Sequence, residues 1–533
     1  MNKTSDMKVT FLGISPVLGD ETGTLNPQQI ASLSALLTFK GKTVQDLKKE
    51  ALEKGQNLDE KIKKIMIKAS LRGHASIATT PVFSFSYEAS KFLDSMLTGI
   101  VFSSSLMASG RRTDTDIENI IIPTSIGQNK EAKKIYLETS KKLIKTLDEL
   151  LAGGLDKDKA GKLLQYGVYG TGIISFSVES LLSFRREYEN EKKWMPEEAG
   201  IFLEKVEKEL GKMGIDLLYA TRFNAPRNFY PYPNIFKDPK QTNIVRELVS
   251  EGKMKLDSNV LSIDCLPSAG LKKKLENLSK KYATLFISKE NIKKNWLAVM
   301  TEMQGVARDY VNVFSMKILS SISWRVWGEK KRHRTVPMVS ESIYYCVDRA
   351  AKIYRKHRKA ILAGKLSLSQ AKELDKAMGM PMAIISNPEY LKKYTIASLE
   401  ALECYEKFVK MGIPEPDALF VVPRAVRVDV LQEYDLFNLL NGYFPLRLCA
   451  TAEEQMRGLA MTEANQIRKM LKVKKLGWME KFLEPKCFST GFCPEEKSCG
   501  MIKKAVKNYD DEFHAKMKED LEERFYEELK RIR

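Results

Sequence analysis

The four residues Lys-Met-Gly-Ile occur at 212–215 and again at 410–413, and both times they close an amphipathic helical pattern. The first stretch reads LEKVEKELGKMGIDLLYATRFNAP and the second LECYEKFVKMGIPEPDALFVVP. In each, a glycine (Gly214, Gly412) stands just past the helix, where a residue without Cβ can take the left-handed conformation that ends it. A proline (Pro226, Pro423) then closes the apolar segment that follows. Upstream of each lies an apolar, aromatic-rich run, PVFSFSYEASKFLDSMLTGIV or YVNVFSMKILSSISWRVWG, that leads through a polar loop to a serine, Ser109 or Ser342. A chain that repeats its elements in this order is built as two similar halves. The polar, turn-rich SEGKMKLDSN puts their junction near residue 250. The expected organisation is 1–250, 251–475 and a cysteine-containing tail, 476–533, that ends in a helix of mixed charge.

Alternation of Val82, Phe83, Phe85 and Tyr87 with serines predicts a half-buried strand, while long helical patterns dominate elsewhere. An α+β architecture is therefore expected rather than a doubly wound parallel sheet. With 43% hydrophobic and 9% aromatic residues in 533, the chain has ample apolar material for real cores. The longest apolar run, FLDSMLTGIVFSSSLMA, carries Asp94 and several serines and falls short of the ~18 to 20 residues a bilayer span needs. The first residues lack the pattern of a secretory leader, so a cytoplasmic location is expected. Seven cysteines, an odd number, argue against a disulfide framework and for reduced thiols. The excess of 87 Lys and Arg over 68 Asp and Glu, a net +19, favours anionic partners. Because lysine is spread along every helix, solvation is the better reading of that charge than a nucleic-acid track, and no nucleic acid is expected as partner.

Residues 332–342, RHRTVPMVSES, crowd three cationic or titratable side chains together. A solvated basic loop is the plain reading, since adjacent cations are costly to bury. The sharper one is that the guanidiniums of Arg332 and Arg334, with His333 between them, cradle a polyanionic or electron-rich ligand, because arginine forks match phosphate and stack on rings.

The spacing Arg-His-Arg, seven residues, Ser resembles the signature of flavin-dependent thymidylate synthases. Downstream, YEKFVKMGIPEPDALFVVP and DLFNLLNGYFPLRLCATAEEQMR resemble that family's helix, Leu-Pro segment and closing Leu-Arg helix. In the first half, GHASIATTPVFSFSYEASKFLDSMLTGIVFSSSLMASGRRT aligns without a gap on the family's Gly-His to Ser-x-Arg-Tyr stretch, but Gly99, Ile100 and Val101 occupy the Arg-His-Arg position. Ser109 and Arg111 stand where the family binds its nucleotide, and Arg222 stands at another substrate arginine. The second half inverts this: it keeps Arg332, His333, Arg334 and Arg447, while Tyr344 and Leu419 replace the two arginines. The resemblance thus implies two tandem domains of the thymidylate synthase complementing protein type, each a mainly antiparallel sheet with long helices, whose losses are complementary. Composite sites would follow, in a homodimer that mimics the family's tetramer.

By the same resemblance the reaction is reductive methylation of dUMP to dTMP, with the methylene group from methylenetetrahydrofolate and reducing equivalents from NADPH through FAD. Arg332, His333 and Arg334 would face the cofactor. Ser109, Arg111, Arg222, Ser342 and Arg447 would hold the substrate, with Arg111 and Arg447 catalytic. An ion pair of Arg447 with Glu454 on the same helix is the structural alternative. Departures from the family pattern are Thr80 for a flavin-contacting histidine, Leu106 and Met107 for polar residues, and Glu453 for a glutamine. A catalytically inactive nucleotide- or flavin-binding relative, or a basic nucleic-acid-binding protein, are the rival readings.

Two further patterns are weaker. GVYGTG (Gly167, Gly170, Gly172) imitates a dinucleotide loop but lacks a clear preceding strand and a suitably placed acid. No metal is expected. Cys487, Cys493 and Cys499 recur with five residues between each rather than at zinc-ribbon spacing, with His514 as the conceivable fourth ligand, although similar tails occur in the family.

Overall fold

The computed structural model describes residues 3–20, 23–109, 115–226 and 229–533. Its two four-stranded sheets repeat one plan. The first contains β1 (Lys8–Ser15), β2 (Val82–Ser90), β3 (Ser104–Met107) and β4 (Tyr169–Ser177), in the order β1-β2-β4-β3. The second contains β5 (Ser258–Cys265), β6 (Phe314–Ser323), β7 (Met338–Ser340) and β8 (Arg427–Asp435), in the order β5-β6-β8-β7. All pairs of the first sheet are antiparallel, as is β5 with β6. The register slips near the middle of both leading strands, between Phe11 and Gly13 and between Val260 and Ser262, so even the irregularity is duplicated. Small bridges repeat as well: Ile120 with Val168 and Met378 with Val426, each partner displaced by one and the same distance along the chain.

The helices that matter for the site are α1 (Lys91–Leu97), α2 (Lys130–Ala152), α3 (Val178–Asn190), α4 (Trp324–Lys330), α5 (Ile343–Lys356), α6 (Pro388–Lys410) and α7 (Glu454–Val473). Among the described residues no helix is long and apolar enough to cross a membrane. Strand-to-helix junctions are set by serine caps: Ser90 Oγ accepts from Phe92 N–H and Ser323 Oγ from Val326 N–H. Gly214 and Gly412 both carry the left-handed backbone, φ 65° and 79°, that their place past a helix requires.

The chain divides into two compact units. One comprises Met1–Thr242, Ser323–Arg334 and Ser340–Val428; the other comprises Asn243–Ile322, Thr335–Val339 and Asp429–Arg533. The first unit therefore takes α4, α5 and α6 from the second half of the sequence. Its core joins equivalent elements of the two halves. Glu131, Lys142 and Glu149 of α2 pair with Lys407, Glu400 and Lys393 of α6, rising numbers against falling ones, so these two helices of equal length run antiparallel. Phe92 of α1 stacks on Phe420 at 4.2 Å and meets Trp324 of α4 edge-on at 5.2 Å. Trp324 Nε1 donates to Ser95 Oγ at 3.3 Å, satisfying the buried indole. In the second unit α7 lies against β5, where Ser258 donates to Glu463 and Gln466 bonds the β5 backbone.

Candidate active site

Within the first unit, α1 and α4 leave their sheets under equivalent serine caps and border one cavity of about 130 Å³. Helix α1 contributes Lys91, Asp94, Ser95 and, just past its end, Thr98; α4 contributes Arg325, Gly328 and Glu329. The end of β3 brings Met107, Ala108 and Ser109. Arg332, one residue into the turn after Lys331, Tyr166 and Arg424 complete the lining. Ser109 of the first half and Arg332 of the second thus face one space.

The electrostatics of this wall are cationic and tightly held. Arg325 Nη2 lies 3.0 Å from Asp158 and 3.9 Å from Glu329, which fixes the guanidinium beside the cavity. Arg424 donates its Nε to the Leu164 carbonyl at 3.2 Å, and burial, then Arg325, lower its pKa to about 10. Lys91 Nζ sits 3.1 Å from Asp94 and also donates to the Ala108 carbonyl, tying α1 to the segment that carries Ser109. Burial raises the Asp94 carboxyl, against the pull of Lys91, a 2.7 Å hydrogen bond from Tyr87 and Arg332. Behind the turn, Lys331 is 3% exposed, with its Nζ 4.0 Å from the Trp327 ring centre and no hydrogen-bond partner among the described residues. Burial first, then Arg332 and Arg334, hold it well below the usual lysine range.

The three residues of the Arg-His-Arg turn part company. Arg332 lines the cavity. Arg334 donates to the Thr98 carbonyl at 2.5 Å and to Ser103 Oγ at 3.4 Å, clamping the end of α1. His333 is half-buried, its N–H bonded to the Lys330 carbonyl at 3.0 Å, and its side chain does not line the cavity.

The other residues singled out in the sequence lie elsewhere. Arg111 falls outside the described residues. Arg222 is fully buried in an ion pair with Glu179 at 3.0 Å. Ser342 is buried at the start of α5 and donates to the Lys237 carbonyl at 2.7 Å. Arg447 belongs to the second unit, half-buried at the end of the short helix Tyr443–Arg447. Lys91, Asp94, Arg325 and Arg424 were not singled out. Their only trace in the sequence is an ionised side chain inside an otherwise apolar run, as in ASKFLDSML and SWRVWG.

The complementary positions of the other half are filled by protein. Ile100 is buried, and a Cβ on Gly99 would come within 2.8 Å of the Tyr232 ring, whose hydroxyl donates to the Met96 carbonyl at 2.7 Å. From Tyr232 the same segment continues past Ile235, whose carbonyl takes the Ile343 N–H, to Lys237, whose carbonyl takes the Ser342 hydroxyl. Tyr344 is buried beside Trp194 and donates to its carbonyl. In the second half, α5 begins at the residue after Ser342, so Tyr344 sits in its first turn.

Comparison with known proteins matches this duplicated architecture. The family model described as thymidylate synthase complementing protein matches twice, over residues 22–192 and 300–471. A flavin-dependent thymidylate synthase of Pyrococcus abyssi is 31% identical over 124 residues, 22% of this chain and 48% of that protein. Those of Thermococcus onnurineus and Pyrococcus furiosus are 28% and 29% identical over 125 and 139 residues, covering 23% and 25% of this chain and 50% and 54% of theirs. The chain spans about half the length of these relatives. A solved UMP/dUMP methylase from Streptomyces cacaoi, bound with 5-Br dUMP, superposes with a TM-score of 0.34 at 12% identity over 42% of this chain and all of that one. With a family match in each half that together takes in more than half of the sequence, the chain belongs to the thymidylate synthase complementing protein family.

Proposed function

We propose that the chain is a flavin-dependent thymidylate synthase that methylates dUMP reductively to dTMP, with methylenetetrahydrofolate as carbon donor and NADPH as electron source through FAD. The observation that carries this reading is that Ser109 and Arg332, remnants of two complementary halves, line one cavity. The residues there fit an anionic ligand: Arg325, Arg332, Arg424 and Lys91 converge. FAD, when bound, supplies the redox chemistry.

This chain's own residues bind and orient. Arg332, with His333 and Arg334 on the same turn, holds the cofactor. Ser109 and Arg111 hold the nucleotide phosphate, each charge-assisted hydrogen bond contributing about 1.5 to 3 kcal/mol. Arg447 serves the uracil carbonyl in the homodimer, as its place in the family's closing helix implies. Arg334 acts through position: by gripping Thr98 it sets the angle at which Arg332 leaves the turn. One competent site per chain follows, since the complementary positions are packed with Tyr232, Ile100 and Tyr344.

A binding-only relative is the second reading, favoured by Thr80. This residue stands where the family has a flavin-contacting histidine, and its hydroxyl is spent on the Ser76 carbonyl at 3.2 Å. The purified full chain decides between them. Bound flavin and dTMP formation dependent on dUMP, methylenetetrahydrofolate and NADPH support the enzyme. Saturable dUMP or flavin binding without dTMP supports the second reading. Affinity only for nucleic acid, falling steeply with salt, overturns both.

A further inference from the structure

In the second unit, Cys449, Cys487, Cys493 and Cys499 line one small cavity of about 20 Å³. Cys449 follows the short helix Tyr443–Arg447, Cys487 lies in the helix Lys486–Thr490, and the other two lie on the loop beyond it. The loop is shaped by Gly491 and Gly500, both left-handed at φ 78° and 80°. All four thiols are free; three are buried and Cys499 is exposed.

His514, the fourth ligand that the sequence suggests, is committed elsewhere. The Tyr509 hydroxyl accepts from Cys493 N–H at 3.1 Å and donates to His514 Nδ1 at 3.1 Å, and His514 Nε2 donates to the Glu495 carbonyl at 3.1 Å. With a carbonyl at Nε2, the proton belongs on that nitrogen. His514 therefore braces both ends of the Cys493–Glu495 segment, and Cys449, distant in sequence, supplies the fourth sulfur. Lys486, Glu495 and Lys497 also line the cavity, and Lys486 pairs with Glu495 at 2.6 Å. With that pair neutralised, the Lys497 charge suits an anionic centre, as four thiolates around a divalent cation would be.

The geometry points to a four-thiolate metal centre formed by Cys449, Cys487, Cys493 and Cys499 that takes a thiophilic metal, either zinc or an iron–sulfur cluster. Each thiol gives up its proton as the metal binds. Among the described residues no three His, Cys, Asp or Glu side chains stand in single-ion coordination geometry. Zinc would accordingly draw the sulfurs in to bonds of about 2.3 Å. Either metal ties residues 487–499 to Cys449, two positions beyond Arg447, and so restrains the segment that carries this arginine.

The test is metal analysis of the full chain isolated under anaerobic, reducing conditions, with zinc, iron and inorganic sulfide measured together. Expected is either stoichiometric zinc or iron with matching sulfide, lost in Cys487→Ser and Cys493→Ser and retained in Cys265→Ser, whose thiol is not at this cavity. Should the serine variants fail to fold, alkylation of the wild-type chain reads the same point: the four thiols become reactive only after the metal is stripped. A wild-type chain that holds no metal and takes up neither zinc nor iron with sulfide overturns the assignment. So does a disulfide among the four, or metal retained in both serine variants.

Discussion

Tyr232 stands where a side chain on residue 99 would have to go: a Cβ built on Gly99 comes 2.8 Å from its ring. The ring is held by its hydroxyl on the Met96 carbonyl, so it has little freedom to yield. Restoring the family's arginine with Gly99→Arg should therefore overpack this corner, costing about 1 to 3 kcal/mol, without creating a second ligand site. A lowered Tm together with an unchanged number of flavin or dUMP sites per chain is the expected result. A gain of one site per chain would show that the position is latent rather than filled.

What could be read in the sequence was local. The glycines after the two Lys-Met helices, the prolines that follow them and the Arg-His-Arg stretch each announce themselves within a few residues, and the duplication follows from the first two. Which half packs with which is not local information: α4, α5 and α6 joining the first unit depends on Phe92, Phe420 and Trp324 finding one another. Lys91, Arg325 and Arg424 passed unnoticed for the same reason, since a charge in an apolar run gains meaning only when its partner, Asp94, Asp158 or the Leu164 carbonyl, is in place. Ser342 matches the family's serine by spacing, yet the helix that begins immediately after it turns its hydroxyl to the Lys237 carbonyl.

Arg332 is exposed and lines the cavity, so its removal should spare the fold. Arg332→Ala should weaken flavin or dUMP binding about 10- to 100-fold, the loss of one charge-assisted contact, with Tm nearly unchanged. Isothermal titration beside a thermal melt separates these effects. Unaltered affinity for both ligands would remove Arg332 from the site.

Arg222 tests a different relationship. With both partners of the Arg222–Glu179 pair essentially inaccessible, Arg222→Ala removes the cation 3.0 Å from a buried carboxylate and should cost about 3 to 5 kcal/mol. Urea denaturation is the measurement, and the affinity of the folded fraction for dUMP should change far less than that of Arg332→Ala. A dUMP defect in a variant of normal stability would instead give Arg222 a direct substrate role.

Surface charge on the α2–α6 pair should matter little by comparison. Lys407 is half exposed at 50% and Glu131 more so, and their 3.1 Å contact lies in solvent. Lys407→Ala should shift stability by less than about 1 kcal/mol, and that small effect should fade in high salt. A loss of several kcal/mol would mean that this pair is shielded in the assembled protein.

Glu198 sets the direction of the pH response. Its carboxylate accepts from Ser90 N–H at 2.9 Å and from the Ser90 hydroxyl, yet full burial dominates and raises its pKa from 4.5 to about 7. The folded state thus keeps a proton that the unfolded chain releases near pH 4.5. The stabilisation is fully present below that value and is lost as pH rises to about 7, at most roughly 3 kcal/mol across the window. Glu198→Gln keeps the shape and an acceptor for Ser90 but cannot ionise. Its stability should follow the wild type at pH 5, exceed it at pH 8, and lack the wild-type decline between them in urea titrations at each pH. Parallel curves for the two proteins across that range would show that Glu198 is ionised in the fold and that Ser90, rather than burial, governs its charge.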